Sequence, residues 1–352
     1  MTALTAAAPL AAPRRPVPWA RLAWVTWRQH RAALAGVAVL LGALSLYLLV
    51  TGLKIRAAYA SVTACHPAGS AGCQQLSQLF DVGYYRTART TSGLLQAVPV
   101  LIGVFAGAPL LARELETGTF RFAWTQGCGR TRWAIAKLVP LAAALAAAAA
   151  AFSLLFSWYY HPFFVKGSDG VLAPQLFGLR GVAFAAWTLA AFAIGVSAGV
   201  VTRRTVPAMA AALAAWTGLD LATALFLRTH YEAPIIGRVA LGLGGNGPIP
   251  WVLGEWWTGP NGKLVSDSTI GNLMLRHTGA GPGSAGPRVE TAGKAGYFGV
   301  MKWLSQHGYT QWTSYQPASR FWHFQLIEGG WLLALTLLLG AATVWLVRRR
   351  AA

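Results

Sequence analysis

The sequence predicts an all-α membrane protein with six transmembrane helices and a large extracellular loop between helices 5 and 6. Three observations carry this. Charged residues make up only 11% of the 352 and hydrophobic residues 55%, whereas soluble domains carry about 25% charge. Six segments hold about 20 mostly apolar residues, the length a helix needs to cross the bilayer core. Basic residues concentrate in alternate short connections, as the positive-inside rule requires.

The six segments are Ala32–Leu53, Gly93–Ala112, Ala134–Phe156, Gly181–Val201, Val206–Leu227 and Gly329–Val347. The third contains a run from Leu141 to Ala151 that is almost all alanine. Alanine is weakly lipophilic but packs closely, so this helix is expected to face other helices. Spans four and five are separated only by Thr202-Arg203-Arg204-Thr205 and read as a helical hairpin. With the N-terminus inside, the inner segments hold Arg14, Arg15, Arg21, Arg28, Arg31, Arg113, Arg121, Arg130, Arg132, Lys137, Arg203, Arg204 and Arg348 to Arg350. The other basic residues spread over more than twice as many outer positions. Both termini are therefore expected in the cytoplasm of a multi-pass plasma-membrane protein. Trp158, Tyr159, Tyr160, Trp331 and Trp345 fall where aromatic belts form.

This layout divides the chain into a cytoplasmic N-terminus with an amphipathic helix (1–31), spans one to five with an inner loop (32–227, loop 113–133), an outer segment (228–328), and span six with a basic cytoplasmic tail (329–352). Within Trp19–Arg31, Arg21, Arg28 and Arg31 share one arc and Trp19, Ala23 and Trp27 another, although Trp24 intrudes on the basic side. An ordinary basic flank also fits. Outer loops are expected over Lys54–Ser92 and Ser157–Arg180. The third outer loop is Gly/Pro-rich from Gly242 to Gly286, which reads as flexible, and aromatic from Tyr297 to Phe324, which reads as folded.

Twenty-nine Lys+Arg oppose ten Asp+Glu, a net charge of +19. Because the excess lies between apolar spans and no recognition motif accompanies it, it reports orientation and anionic headgroups, not nucleic acid. The seven histidines are scattered, and no metal site is expected. No P-loop, Gly-x-Ser-x-Gly or His-Glu-x-x-His is present, so neither ATP binding nor hydrolysis is expected in this chain. Cys65 and Cys73 share an outer loop, where a disulfide can persist; two unpaired thiols also fit. Cys128 is expected inside.

The most specific segment is the inner loop from Arg113 to Gln126. Glu114 and Glu116 are the only acids placed on the inner face. Thr117 or Thr119 can N-cap a short helix, Phe120, Phe122 and Trp124 give it bulk, and Gly127 and Gly129 permit the turn after it. A short amphipathic helix of this kind suits docking into a soluble partner. A salt link from Glu114 to Arg130 or Arg132 would close the loop; contact between the acids and a basic partner is the alternative. Asp220 is the one acid well inside a span, where a carboxylate is costly. A structural pair with Arg180 or Arg228 competes with a role in passage or gating. Glu328 reads as an acid at a helix N-terminus.

The run Glu114-x-Glu116-x-Gly118-Thr119, then Ala123-Trp124-Thr125-Gln126, Gly129-Arg130-x-Arg132-Trp133 and Lys137, resembles the inner loop of ABC-2 type transporter permeases, in particular actinobacterial ones. The stretch Tyr315-Gln316-Pro317-Ala318-Ser319-Arg320-Phe321-Trp322, continuing to Gln325 and Glu328, is similar to the same group. The resemblance implies a coupling helix, carried by Glu114, Glu116, Thr117, Gly118, Thr119, Phe120, Trp124, Gln126, Arg130 and Arg132, that contacts a separate ABC ATP-binding subunit. It also implies an exporter subunit, a homodimer or a heterodimer with a second permease, and ATP and Mg in the partner, with no cofactor in this chain. Two other classes compete with this reading. A membrane enzyme for lipid-linked substrates needs clustered outer acids, but Glu232, Glu255, Asp267 and Glu290 are widely spaced. A sensor or assembly protein needs an inner signalling domain, and the inner segments are short.

Overall fold

The computed structural model describes residues 18–67, 70–119, 129–238, 249–278 and 293–350. Among these, six helices are long and apolar enough to cross a membrane: Arg31–Thr63, Ala71–Thr117, Arg130–Lys166, Gly181–Thr202, Thr205–His230 and Ala318–Arg349. Contacts sort their ends. Arg132 stacks over Trp19 at 4.6 Å, Arg130 donates to the Arg348 carbonyl at 3.2 Å, and Glu116 reaches the Thr205 hydroxyl at 2.8 Å. These groups define the terminal end of the bundle. The described residues of the connections 64–70 and 167–180, and of the stretch 231–317, occupy the opposite, loop end.

The helices run further than hydropathy alone implies. The first is unbroken from Trp19 to Thr63, so Trp19–Arg31 continues into the first span and is not a separate element. The expected outer loop over Lys54–Ser92 is mostly helix. Arg56 donates to the Trp158 carbonyl at 3.0 Å and lies 4.6 Å from that ring, while Phe80 packs on Tyr59 and Phe163. These contacts hold both helix extensions against the third span. Ser70 caps the second by accepting from the Cys73 amide at 3.3 Å. A disulfide joins Cys65 and Cys73 across the remaining turn, with Cα atoms 5.7 Å apart. The third helix likewise continues to Lys166, so Tyr159 and Tyr160 are buried among aromatic rings instead of lying in a belt.

The second and fourth spans form the centre. Within their apolar windows 61% and 67% of residues are buried, against 28% or less in the other four. Small residues cause this. A Cβ on Gly195 would lie 2.2 Å from the Gly103 carbonyl oxygen, and one on Gly199 2.6 Å from that of Ala108. The two backbones thus touch directly, as small residues at four-residue spacing allow in membranes. Gly103–Gly107 forms a π-helical turn at this contact. The alanine run behaves differently from expectation: Leu141, Leu145 and Ala149 are buried, but Ala143, Ala144, Ala147, Ala150 and Ala151 are exposed in the single chain. Helical spacing puts only one of its faces on the bundle.

The segment between the fifth and sixth spans corrects the all-α reading. It contains an antiparallel four-stranded sheet, ordered β1-β4-β2-β3, from β1 (Ile235–Gly237), β2 (Trp251–Thr258), β3 (Leu264–Val265) and β4 (Thr310–Gln316). Helices Asp267–Thr278 and Gly293–Gln306 cover it, with Trp257, Ile270, Val300 and Leu304 buried between. Much of the segment read as flexible is therefore ordered. Trp, Val and Thr in β2 suit a pleated surface, and Gly262 takes the left-handed conformation, φ 72°, that turns β2 into β3.

The central contact yields a test. Gly195→Leu should destabilise the protein by about 3 kcal/mol, the upper end for overpacking. Gly218→Leu should be near neutral, because a Cβ there meets nothing within 4 Å. Thermal melting in detergent, followed by gel filtration, reads the difference.

Candidate functional site: polar clusters at the two ends of the bundle

At the terminal end the second span carries both acids of the inner-loop motif. Glu114 forms an ion pair with buried Lys137 of the third span, so Lys137 is the partner for which Arg130 or Arg132 was expected. Glu116 accepts from the Thr205 amide at 3.0 Å and its hydroxyl at 2.8 Å. It thereby caps the fifth span, where a carboxylate also meets the positive end of the helix dipole. The two acids tie the second span to the third and fifth. Thr117 ends the second span instead of opening a new helix: its hydroxyl donates to the Arg113 carbonyl at 2.9 Å and Gly118 follows at φ 71°. Thr119 lies 3.1 Å from the Thr117 hydroxyl. Gly129 precedes the third helix in extended conformation. Phe120, Trp124 and Gln126 lie outside the described residues, as do Cys128 and the other loop positions from 121 to 127.

At the loop end, Glu328 and Arg228 form a buried ion pair. Glu328 is not at a helix terminus but inside the helix Phe321–Arg350, and it is fully buried. Arg228 donates twice to it, Nε to Oε2 at 2.9 Å and Nη2 to Oε1 at 2.8 Å. Trp187 Nε1 adds a bond at 2.8 Å and the Tyr231 hydroxyl one at 3.1 Å, itself held by Trp331 Nε1 at 3.0 Å. Burial, and then the charge of Glu328, push the Tyr231 phenol up, so it stays a neutral donor. One turn earlier, Gln325 accepts from the Ala183 amide at 2.8 Å and donates to the Phe177 carbonyl at 3.1 Å. Gln325 therefore caps the fourth span from the sixth. Gly181, at φ 60°, leaves room for it: a Cβ there would lie 2.6 Å from Oε1.

The rest of the second motif anchors the sheet. Gln316 donates to the Glu232 carbonyl at 2.7 Å, and Arg320 reaches the Ala233 carbonyl at 2.7 Å and the Glu232 carboxylate at 2.9 Å.

Asp220 is not paired as expected. Arg228 is taken by Glu328, and Arg180 lies between the Phe164 and Phe321 rings at 4.2 and 4.9 Å. Its burial pulls the guanidinium down to about 10, still charged at neutral pH. Asp220 instead lines a small cavity of about 40 Å³ with Gln96, Trp187, Trp216 and Arg228. Asp169, which sequence reasoning passed over, accepts from Tyr160 at 2.5 Å, Arg89 at 2.9 Å and Tyr85 at 3.1 Å. No cluster of three potential metal ligands exists among the described residues.

A family model described as ABC-2 membrane transporter related matches residues 38–228, more than half of the chain. The chain belongs to this family. Neither the curated proteins nor the solved structures returned a match. The matched region of this ABC-2 permease runs from within the first span to Arg228. It includes the inner-loop motif and one half of the loop-end ion pair; Glu328 and the sheet lie beyond it. The permease is a multi-pass membrane transport subunit, in agreement with its six apolar helices.

Removing one partner of a buried pair typically costs about 3–5 kcal/mol, whereas replacing both with apolar groups can be nearly neutral. Glu328→Leu is accordingly expected to lower the melting temperature sharply, and Arg228→Met to do the same. The double variant should recover most of the loss; additive losses would show that the two do not act as a pair.

Proposed function

We propose that this ABC-2 permease is the membrane-spanning subunit of an exporter driven by a separate ATP-binding subunit, which docks on the connection between the second and third spans. The observation that carries this reading is the pair of clamps at the terminal end. Glu114–Lys137 and Glu116–Thr205 fix the flank of that connection, the end of the second span, to the third and fifth spans. A force applied to the connection is therefore passed into the bundle and not lost in a slack loop. The terminal end is the cytoplasmic one: among the described residues it holds Arg21, Arg28, Arg31, Arg113, Arg130, Arg132, Lys137, Arg203, Arg204 and Arg348 to Arg350 against only Glu114 and Glu116. The disulfide and the sheet are then extracellular, the side on which a disulfide persists.

In this mechanism ATP and Mg reside in the partner, whose two copies close on ATP. Their approach moves the connection, and the second span moves with it against the fourth along the backbone contact at Gly103 and Gly195. The buried Arg228–Glu328 cluster holds the loop end together while the terminal end is displaced. The permease works as a dimer, with itself or with a second permease, because six spans supply half of a pathway. Export is the direction of the permeases that the two motifs resemble.

A mild-detergent pulldown of tagged protein from its native host tests the partner. A P-loop ATPase should accompany the wild type and be lost in Phe120→Glu plus Trp124→Glu, with an unchanged melting temperature. Recovery of no ATPase with the wild type, under conditions that retain a known ABC complex, would overturn the proposal.

Orientation is read separately with a membrane-impermeant maleimide on intact cells. In a Cys128→Ser background, Ser266→Cys should label directly, and Arg203→Cys only after permeabilisation. The reverse pattern would invert the topology.

A further inference from the structure

The first and third spans run in parallel and touch near both ends. Thr26 donates to the Ala136 carbonyl at 3.4 Å, and a Cβ on Gly52 would lie 2.5 Å from the Trp158 ring. Between these contacts lies an apolar groove of about 870 Å³. Its cause is visible in the sequence: Ala35, Ala38 and Gly42 on the first helix face Ala144, Ala148 and Ala151 on the third. Leu41, Leu145 and Phe152 line the groove and belong to the buried core beneath it. At its terminal-end mouth stand Arg31 and Trp27, both exposed. From Arg31 to Ser45 the groove runs 14 residues, about 21 Å at helical rise. One leaflet holds roughly 15 Å of hydrocarbon, so a chain entering at Arg31 stays in the groove through the whole leaflet.

We propose that this groove binds an anionic phospholipid, with an acyl chain between the first and third spans and the phosphate at Arg31. Charge decides the head group. The terminal end has two acids among its described residues, and both are engaged: Glu114 by Lys137, and Glu116 by Thr205. No ion pair reaches Arg31 among the described residues, and Arg28 stands on the adjoining turn over Trp24. An anion from outside the chain supplies the counter-charge. The same charges disfavour a second copy as occupant. A twofold interface brings identical patches together, and here it would set each cationic mouth against its own kind. The inference rests on the membrane-embedded fold and is independent of ATP coupling.

The test uses full-length protein purified after reconstitution with equal parts of phosphatidylglycerol and phosphatidylcholine, with retained lipid counted by native mass spectrometry. Wild type should retain phosphatidylglycerol in preference. Arg31→Gln should reduce that preference about fivefold, the effect of one basic residue at an anionic surface. Arg349→Gln, which removes a charge at the same end outside the groove, should not. Ala38→Leu plus Gly42→Leu fills the groove, since a Cβ at Gly42 meets nothing within 4 Å, and should abolish retention. Retention without preference, or a preference untouched by Arg31→Gln, overturns the proposal. So does a filled groove that loses a dimer but keeps its lipid, which would make a second copy the occupant. Should the filled variant fail to fold, the exposed Arg31 substitution decides alone.

Discussion

The Arg228–Glu328 ion pair is the constraint on which the loop end depends. A carboxylate on a spanning helix is costly unless its charge and every lone pair are engaged. Glu328 meets that demand by drawing a guanidinium, an indole and a phenol onto one point. Those donors come from the fifth span, the fourth span and the chain leaving the fifth, so satisfying one side chain fixes the mutual position of three spans. Directional bonds to a fully buried carboxylate also set the rotation of the sixth helix, which apolar packing against lipid-like neighbours would leave loosely defined.

A common device recurs at both ends. The N-terminus of a helix leaves amides without a partner inside the helix, and each has to find an acceptor. In the fourth span the acceptor is Gln325 of the sixth, and in the fifth it is Glu116 of the second. Local N-cap residues are absent there because Arg180 and Arg204 occupy those positions. Capping has thereby become tertiary, and what would be a local helix signal serves as a joint between spans.

The spans were legible because about 20 apolar residues leave few alternatives, and positive charge distinguished the two ends. Helix ends were not, because the extensions beyond the apolar core are set by aromatic and ionic contacts among Arg56, Phe80, Trp158 and Phe163 that no local pattern records. The sheet is hard to read in the sequence because the surrounding Gly and Pro mask the strand-forming Trp251–Thr258 run. Of the site residues, Glu114 and Glu116 were legible as acids requiring a reason, but their partners Lys137 and Thr205 depend on how helices far apart in sequence are rotated. Asp169 carried one readable signal: with ten acids against 29 basic residues, any carboxylate near a span has cationic neighbours competing for it. The backbone contact at Gly195 follows from small residues four apart, a spacing that the apolar character of both spans conceals.

The strand order joins the fifth and sixth spans in an unusual way. β1 leaves the fifth span and β4 enters the sixth, and the two pair antiparallel with Ile235 opposite Tyr315 at the membrane side. The described residues between them, 249–278 and 293–309, belong to an insertion between the two strands of this pair. In mechanical terms the pair is a zipper closed at its lower end. Sliding one span along the other loads all its rungs in shear at once, whereas prising the spans apart loads them one at a time, beginning with Ile235–Tyr315. The strand pair by itself therefore resists axial displacement better than lateral separation, and resistance to separation falls to the Arg228–Glu328 bonds beside it.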